Sequence, residues 1–146
     1  MGYNFKPLDL QGAIGSVQIE KLEMIHELRR RNKHLIASYF ERIKGTRVAK
    51  ELPSAEASWF GVPVICETGE LKENLVRHLE TSGIQTRNYF AGNILIHPAY
   101  RSLGNFRDYP NANQVLDRVF FVGCSPNYTD STLAYIETVI DSFGKK

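Results

Sequence analysis

Between Thr86 and Tyr100 the sequence gathers side chains able to hold a polar ligand: Arg87, Asn93 and His97. Arginine presents a planar fork of donors that meets a phosphate or carboxylate two-pronged. A side-chain amide both donates and accepts, so Asn93 suits a ligand with mixed polarity. Gly92 frees the backbone just before it. His97 precedes Pro98, which biases it toward an extended conformation, and Tyr100 follows closely. Loops beside strand ends commonly carry binding residues. The same residues also suit an exposed, hydrogen-bonded loop with Arg87 in a salt bridge, and residue types alone leave both readings open.

Nothing else in the chain forms a self-sufficient catalytic or metal constellation. There is no glycine-rich phosphate loop, no His-Glu-x-x-His pattern and no metal spacing of cysteines. His26, His34 and His78 fall among charged residues on predicted helices and read as surface. The run Arg29 to His34 reads as a solvated helix face. A phosphate contact is the sharper alternative, but a contiguous run wraps around a helix and few of its side chains converge.

The elements that position this loop follow from periodicity. Leu10, Ile14, Val17 and Leu22 give a first helix, with Asp9 as its expected N-cap. Gly12 and Gly15 lie about one turn apart on it. Each costs about 1 kcal/mol relative to alanine, and close approach of another backbone is the natural reason. A second helix runs from Glu23 to Lys44 and stops at Gly45. Ser58–Cys66 reads as a strand, at an edge or bulged because Pro63 cannot donate to a ladder. Trp59 reads as core or interface. Thr68 caps a helix through Ser82, closed by Gly83. Ile84–Phe90 alternates as a strand, Asn111–Arg118 is a short helix and Val119–Gly123 a short buried strand. Thr129 or Asp130 caps a last helix carrying Leu133, Ile136, Ile140 and Phe143. Three strands or so with helices between them predict a small α/β two-layer sandwich.

The 146 residues fit one domain, 1–146, with 42% hydrophobic residues and a formal charge of +2. Balanced charge gives no nucleic-acid footprint. No apolar run is long enough for a membrane span, and the N-terminus lacks the pattern of a signal peptide. Cys66 and Cys124 read as reduced thiols of a cytoplasmic protein.

The opening stretch carries a longer pattern. Gly2-Tyr3-Asn4, then Asp9-Leu10-Gln11-Gly12-Ala13-Ile14-Gly15 and Gln18-Ile19-Glu20-Lys21-Leu22, resembles the pyridoxal-phosphate (PLP) sugar aminotransferases and dehydrases of the DegT/StrS type. These act on nucleotide-linked 4-keto sugars. Thr86-Arg87, Phe90-Ala91-Gly92-Asn93 and Pro98-Ala99-Tyr100 resemble the 3-dehydrase branch, closest to the enzymes of CDP-4-keto-6-deoxyglucose. His97 leaves the aminotransferase branch open. The resemblance covers about the last third of a typical member.

The resemblance implies the small C-terminal domain of such an enzyme, with residues 1–22 as junction and residues 23–146 as a helix-covered sheet. It implies a homodimer in which Asn4 reaches the cofactor phosphate of the neighbouring subunit. Arg87, Asn93 and His97 become substrate-side residues. PLP or its amine form, PMP, belongs to the full-length enzyme, and none is expected on this chain alone. The large PLP domain, with its catalytic lysine or histidine, is not in this sequence, so the chain is expected to be inactive by itself. The expected chemistry is C3 dehydration in deoxysugar or lipopolysaccharide biosynthesis. Sugar-nucleotide amino transfer, or a non-catalytic interaction module left after loss of the cofactor domain, are the alternatives.

Overall fold

The computed structural model describes Lys6 and residues 8–145. In chain order these form α1 (Asp9–Glu20), α2 (Leu22–Phe40), β1 (Thr46–Val48), β2 (Gly61–Cys66), α3 (Gly69–Thr81), β3 (Thr86–Asn88), α4 (Pro110–Arg118), β4 (Val119–Gly123) and α5 (Asp130–Asp141). Three short 3-10 turns, Ile94–Ile96, Pro98–Leu103 and Phe106–Asp108, shape the long connection after β3.

The sheet has four strands, against the three or so read from the sequence, in the order β1-β2-β4-β3, and every pairing is antiparallel. The missed strand, β1, has only three residues and too little alternation to stand out. Partners directly opposite in an antiparallel pair share a face. The register Val62↔Val122 and Val64↔Phe120 therefore places these four on one face, with Val48 joining opposite Val64. Against that face lie Ile36 and Phe40 of α2, Leu75 and Leu79 of α3, and Leu133, Ile136 and Ile140 of α5. This is the core of a two-layer sandwich. Phe40 and Phe120 meet edge to face, 6.0 Å between centroids.

Several local expectations change. Pro63 does not sit in an edge strand, because β2 lies between β1 and β4. Its carbonyl accepts the Ala49 N–H at 3.1 Å. Pro63 has no N–H to return to the Ala49 carbonyl, and the β1 ladder ends at the Val48↔Val64 pair. β2 begins at Gly61 rather than Ser58, and β3 spans only Thr86–Asn88, because Phe90 turns into the left-handed region at φ 53°. Asp9 is not the cap of α1. Leu8 holds that position and its N–H donates to Gln11 Oε1 at 2.8 Å. Asp9 stands in the first turn, where a carboxylate favours the positive helix end. Thr68 does cap α3, accepting the Leu71 N–H at 3.1 Å. Trp59 packs against the core cluster as expected.

The basic run is also more than a solvated face. Asn32 is fully buried and donates to the Ser125 carbonyl at 2.8 Å. Lys33 is buried with Nζ 5.0 Å from the Trp59 ring centroid. Arg31 pairs with Asp130 at 2.6 Å and Arg30 with Glu56 at 3.5 Å. These contacts fasten α2 to the start of α5 and to the segment before β2. Of the three helical histidines only His34 is exposed. His26 is half-buried, and His78 bridges α3 to α5 through the Val139 carbonyl at 2.8 Å.

α1 buries none of its residues. Leu10, Ile14 and Val17 are all exposed, and nothing lies within 4 Å of a Cβ built on Gly12 or Gly15.

Candidate functional site: the loop after β3 and the bare face of the sheet

Asn93 is the pivot of the loop after β3. It is 97% buried, and its amide is fully engaged within the loop. Oδ1 accepts the Leu95 N–H at 3.0 Å, while Nδ2 donates to the Phe106 carbonyl at 3.0 Å and to Asn113 Oδ1 at 2.8 Å. Asn113 donates in turn to the same Phe106 carbonyl at 3.0 Å. The amide thereby ties the first 3-10 turn to the third and to α4. Gly92 makes the approach possible. It sits at φ 62°, and a Cβ there would lie 2.5 Å from Leu116 Cβ.

Arg87 and His97 differ from Asn93 in being exposed. His97 stands between two 3-10 turns, extended at φ −74° and ψ 137° as its proline neighbour requires, and its carbonyl accepts the Tyr100 N–H at 3.0 Å. No hydrogen bond joins Arg87, Asn93 and His97 to one another among the described residues. Asn4 lies outside the described residues.

β3 sets the direction of Arg87. Thr86 pairs with Val122 on the core face, and its hydroxyl donates to Glu80 Oε1 at 2.7 Å. Strand alternation then sends Arg87 to the opposite face, beside its register partner Phe121. Among the described residues, the Phe121 end of that face carries a cluster of rings. Phe60 meets Phe121 edge to face at 5.2 Å, and Phe90 lies 6.2 Å from Phe60 and 6.3 Å from Phe121. Tyr89 joins at 5.2 Å from Phe90. Phe60 is 55% and Phe90 66% exposed. Gly61 seats Phe121: a Cβ there would stand 2.5 Å from Phe121 Cδ2. Sequence reasoning missed this cluster because its rings come from three separate segments. The short distance from Tyr89-Phe90 to Arg87 was its only sequence signal.

The other end of the same sheet face forms a groove of about 520 Å³ with α4. Ile65, Val115 and Val119 line it, with Arg47, Arg118 and Glu67 at its polar parts. Nearby, Lys72 is buried, and its Nζ donates to the Leu116 carbonyl at 2.6 Å. Burial lowers its pKa, opposed by the charge of Asp117. The two buried lysines, Lys72 and Lys33, are thus both engaged within the fold. Cys66 and Cys124 are free and buried, and desolvation pushes each thiol up to about 11.

This architecture and sequence have relatives. A dTDP-4-dehydro-2,6-dideoxy-D-glucose 3-dehydratase of Saccharopolyspora spinosa is 33% identical over all of this chain and 32% of its own length. The lipopolysaccharide biosynthesis protein RfbH of Salmonella typhimurium is 31% identical over 98% of this chain and 34% of its length. The solved structure of an Escherichia coli GDP-4-keto-6-deoxy-D-mannose-3-dehydratase with bound hydrated PLP superposes with a TM-score of 0.80 at 28% identity. It covers 95% of this chain and 36% of that one. Helicobacter pylori PseC, an aminotransferase, shares the fold with a TM-score of 0.85 at 17% identity. The chain spans about a third of the length of the relatives it matches. The model of the DegT/DnrJ/EryC1/StrS aminotransferase family matches residues 1–142, and the chain belongs to that family.

Proposed function

We propose that this chain is the small C-terminal domain of a PLP- or PMP-dependent enzyme that removes the C3 hydroxyl from a nucleotide-linked 4-keto-6-deoxy sugar. The supporting observation is that one 3-dehydratase is 33% identical along the chain's entire length. The enzyme works in the cytoplasm as a homodimer. The cofactor supplies the electron sink for breaking the C3–O bond, and it belongs to the two-thirds of the relatives' length that this chain does not span.

This chain's own residues bind and orient. Asn4 donates to the cofactor phosphate across the dimer, without adding charge. Arg87 takes an anionic group of the nucleotide sugar two-pronged. His97 stands on the same exposed loop as a polar contact to the sugar. Asn93 acts through the loop: with its amide held by Leu95, Phe106 and Asn113, it fixes the backbone on which His97 stands.

The test is to express this chain together with, or fused behind, the PLP region encoded with it. Nucleotide-linked 4-keto-6-deoxy sugar and PMP are supplied, and the product is read by NMR. Loss of the C3 hydroxyl is expected from the joined protein and no turnover from this chain alone. An amino sugar as the product would replace dehydration by amino transfer. Turnover by the isolated chain would overturn the reading.

A further inference from the structure

The bare face of the sheet spends conformational energy on showing a ring. Phe90 is not glycine, asparagine or aspartate, yet it holds φ 53°. A non-glycine residue in that region carries a backbone penalty, and such strain clusters at ligand sites. The ring it positions is 66% exposed, so core burial does not repay the strain. Its neighbours are fixed. Phe121 is seated over Gly61, where a Cβ would collide at 2.5 Å, and Gly92 is locked against Leu116. Phe60 and Tyr89 complete a group of rings 5.2–6.4 Å apart. Beside them, across the β3–β4 register from Phe121, stands exposed Arg87. It borders a hollow that also carries Glu73 and Glu80, but no ion pair holds it among the described residues.

Rigid rings with open surface bind flat π-systems, and a guanidinium at their margin binds phosphate. We infer that Phe60, Tyr89, Phe90 and Phe121 form a stacking platform for the base of a nucleoside diphosphate, with Arg87 holding its phosphates. This rests on the nucleotide-sugar reading and adds which surface takes the nucleotide, by which chemistry. Neither a free apolar partner nor inorganic phosphate alone would use both halves of the arrangement. The required span is short, because Arg87 and Phe121 are directly paired.

The experiment is a 15N-NMR titration of this chain with dTDP, GDP and sodium pyrophosphate, following the amides of Gly61, Arg87, Phe90, Gly92 and Gly123. Both nucleoside diphosphates are expected to shift these amides and to bind more tightly than pyrophosphate. Phe90→Gly is expected to weaken dTDP binding about five- to hundredfold, the range of losing one stacked ring. Pyrophosphate binding should stay unchanged. Because glycine relieves the positive φ, the melting temperature of this variant should hold or rise, which separates lost stacking from lost folding. Phe90→Leu keeps an apolar side chain on the same backbone and should also weaken dTDP selectively. Arg87→Gln should weaken nucleotide and pyrophosphate alike. Binding of pyrophosphate as tight as dTDP, dTDP affinity unchanged in both Phe90 variants, or an absence of shifts at these amides would each overturn the platform. The dehydratase reading is judged separately by product formation in the joined protein, so either can fail while the other stands.

Discussion

Asn93 donates its side-chain N–H to Asn113 Oδ1 at 2.8 Å, joining the loop after β3 to the helix that leads into β4. Replacing Asn93 by alanine removes three hydrogen bonds from a buried site and leaves the Leu95 N–H and Asn113 Oδ1 without a partner there. The expected cost is about 2–4 kcal/mol, a fall in melting temperature of roughly 5–15 °C for a domain of this size. His97→Ala, on the exposed side of the same loop, should stay within about 0.5 kcal/mol. Thermal unfolding of the two variants checks this, and equal effects would contradict the assigned roles.

Two kinds of glycine give opposite outcomes. Gly61→Ala drives a Cβ into Phe121 Cδ2 at 2.5 Å with the Val122 carbonyl 3.1 Å away. Overpacking of that kind costs about 1–3 kcal/mol. Gly12→Ala meets open space in mid-helix, so it should stabilise the isolated chain by up to about 1 kcal/mol. Denaturant titration separates the two signs.

If another backbone covers α1 in the assembled enzyme, Gly12→Ala and Gly15→Ala should weaken that assembly while strengthening the helix itself. The exposed side chains of Leu10, Ile14 and Val17 make the isolated chain prone to self-association. Light scattering at rising concentration should show it, and Ile14→Glu should suppress it. A monodisperse monomer at high concentration counts against a covered α1.

The two thiols set an alkaline limit. An unfolded cysteine titrates near ~8.5, whereas burial holds Cys66 and Cys124 near about 11. Above pH ~8.5 the unfolded chain sheds these protons and the folded one keeps them, so stability falls as pH rises toward 11. Each shift corresponds to roughly 3 kcal/mol as an upper bound. Burial raises Tyr128 as well, which acts in the same direction, while the lowered Lys72 acts against it. Equilibrium unfolding between pH 8 and 10.5 should show the decline, smaller in Cys124→Ala if that variant folds. At pH 7.5 neither thiol should react quickly with a disulfide reagent until the protein is unfolded.

Where side-chain pattern alone decides an element, the sequence was readable. Leu75 and Leu79 of α3, with the Thr68 cap, and Leu133, Ile136 and Ile140 of α5 lie in the core as their spacing required. What escaped was set by partners distant in sequence. Pro63 marks an edge or a bulge by its residue type, but the strand beside it, β1, is too short to predict and places β2 inside the sheet. Asn32 and Lys33 looked solvated because their partners, Ser125 and Trp59, lie outside the helix. In the candidate site Arg87 and His97 were legible as exposed polar groups. The internal engagement of Asn93 was not, because Phe106 and Asn113 reach it only through the folded loop. The ring cluster was invisible because Phe60 and Phe121 are neighbours only across the β2–β4 pairing.

The strand order β1-β2-β4-β3 also has a consequence in time. β4 lies between β2 and β3 in the sheet although it is the last strand to be made. Neither pairing of β4 can close until residues 119–123 exist, so β3 has no partner strand until then. On the ribosome the β1–β2 pair can form early, whereas β3 should join the sheet only after α4 and β4 have emerged. Long-range closure of this kind is slow relative to local helix formation. Until then β2 lacks its partner on the β4 side and the ring of Phe60 lacks Phe121, the interval in which an emerging chain is most open to aggregation or to a chaperone.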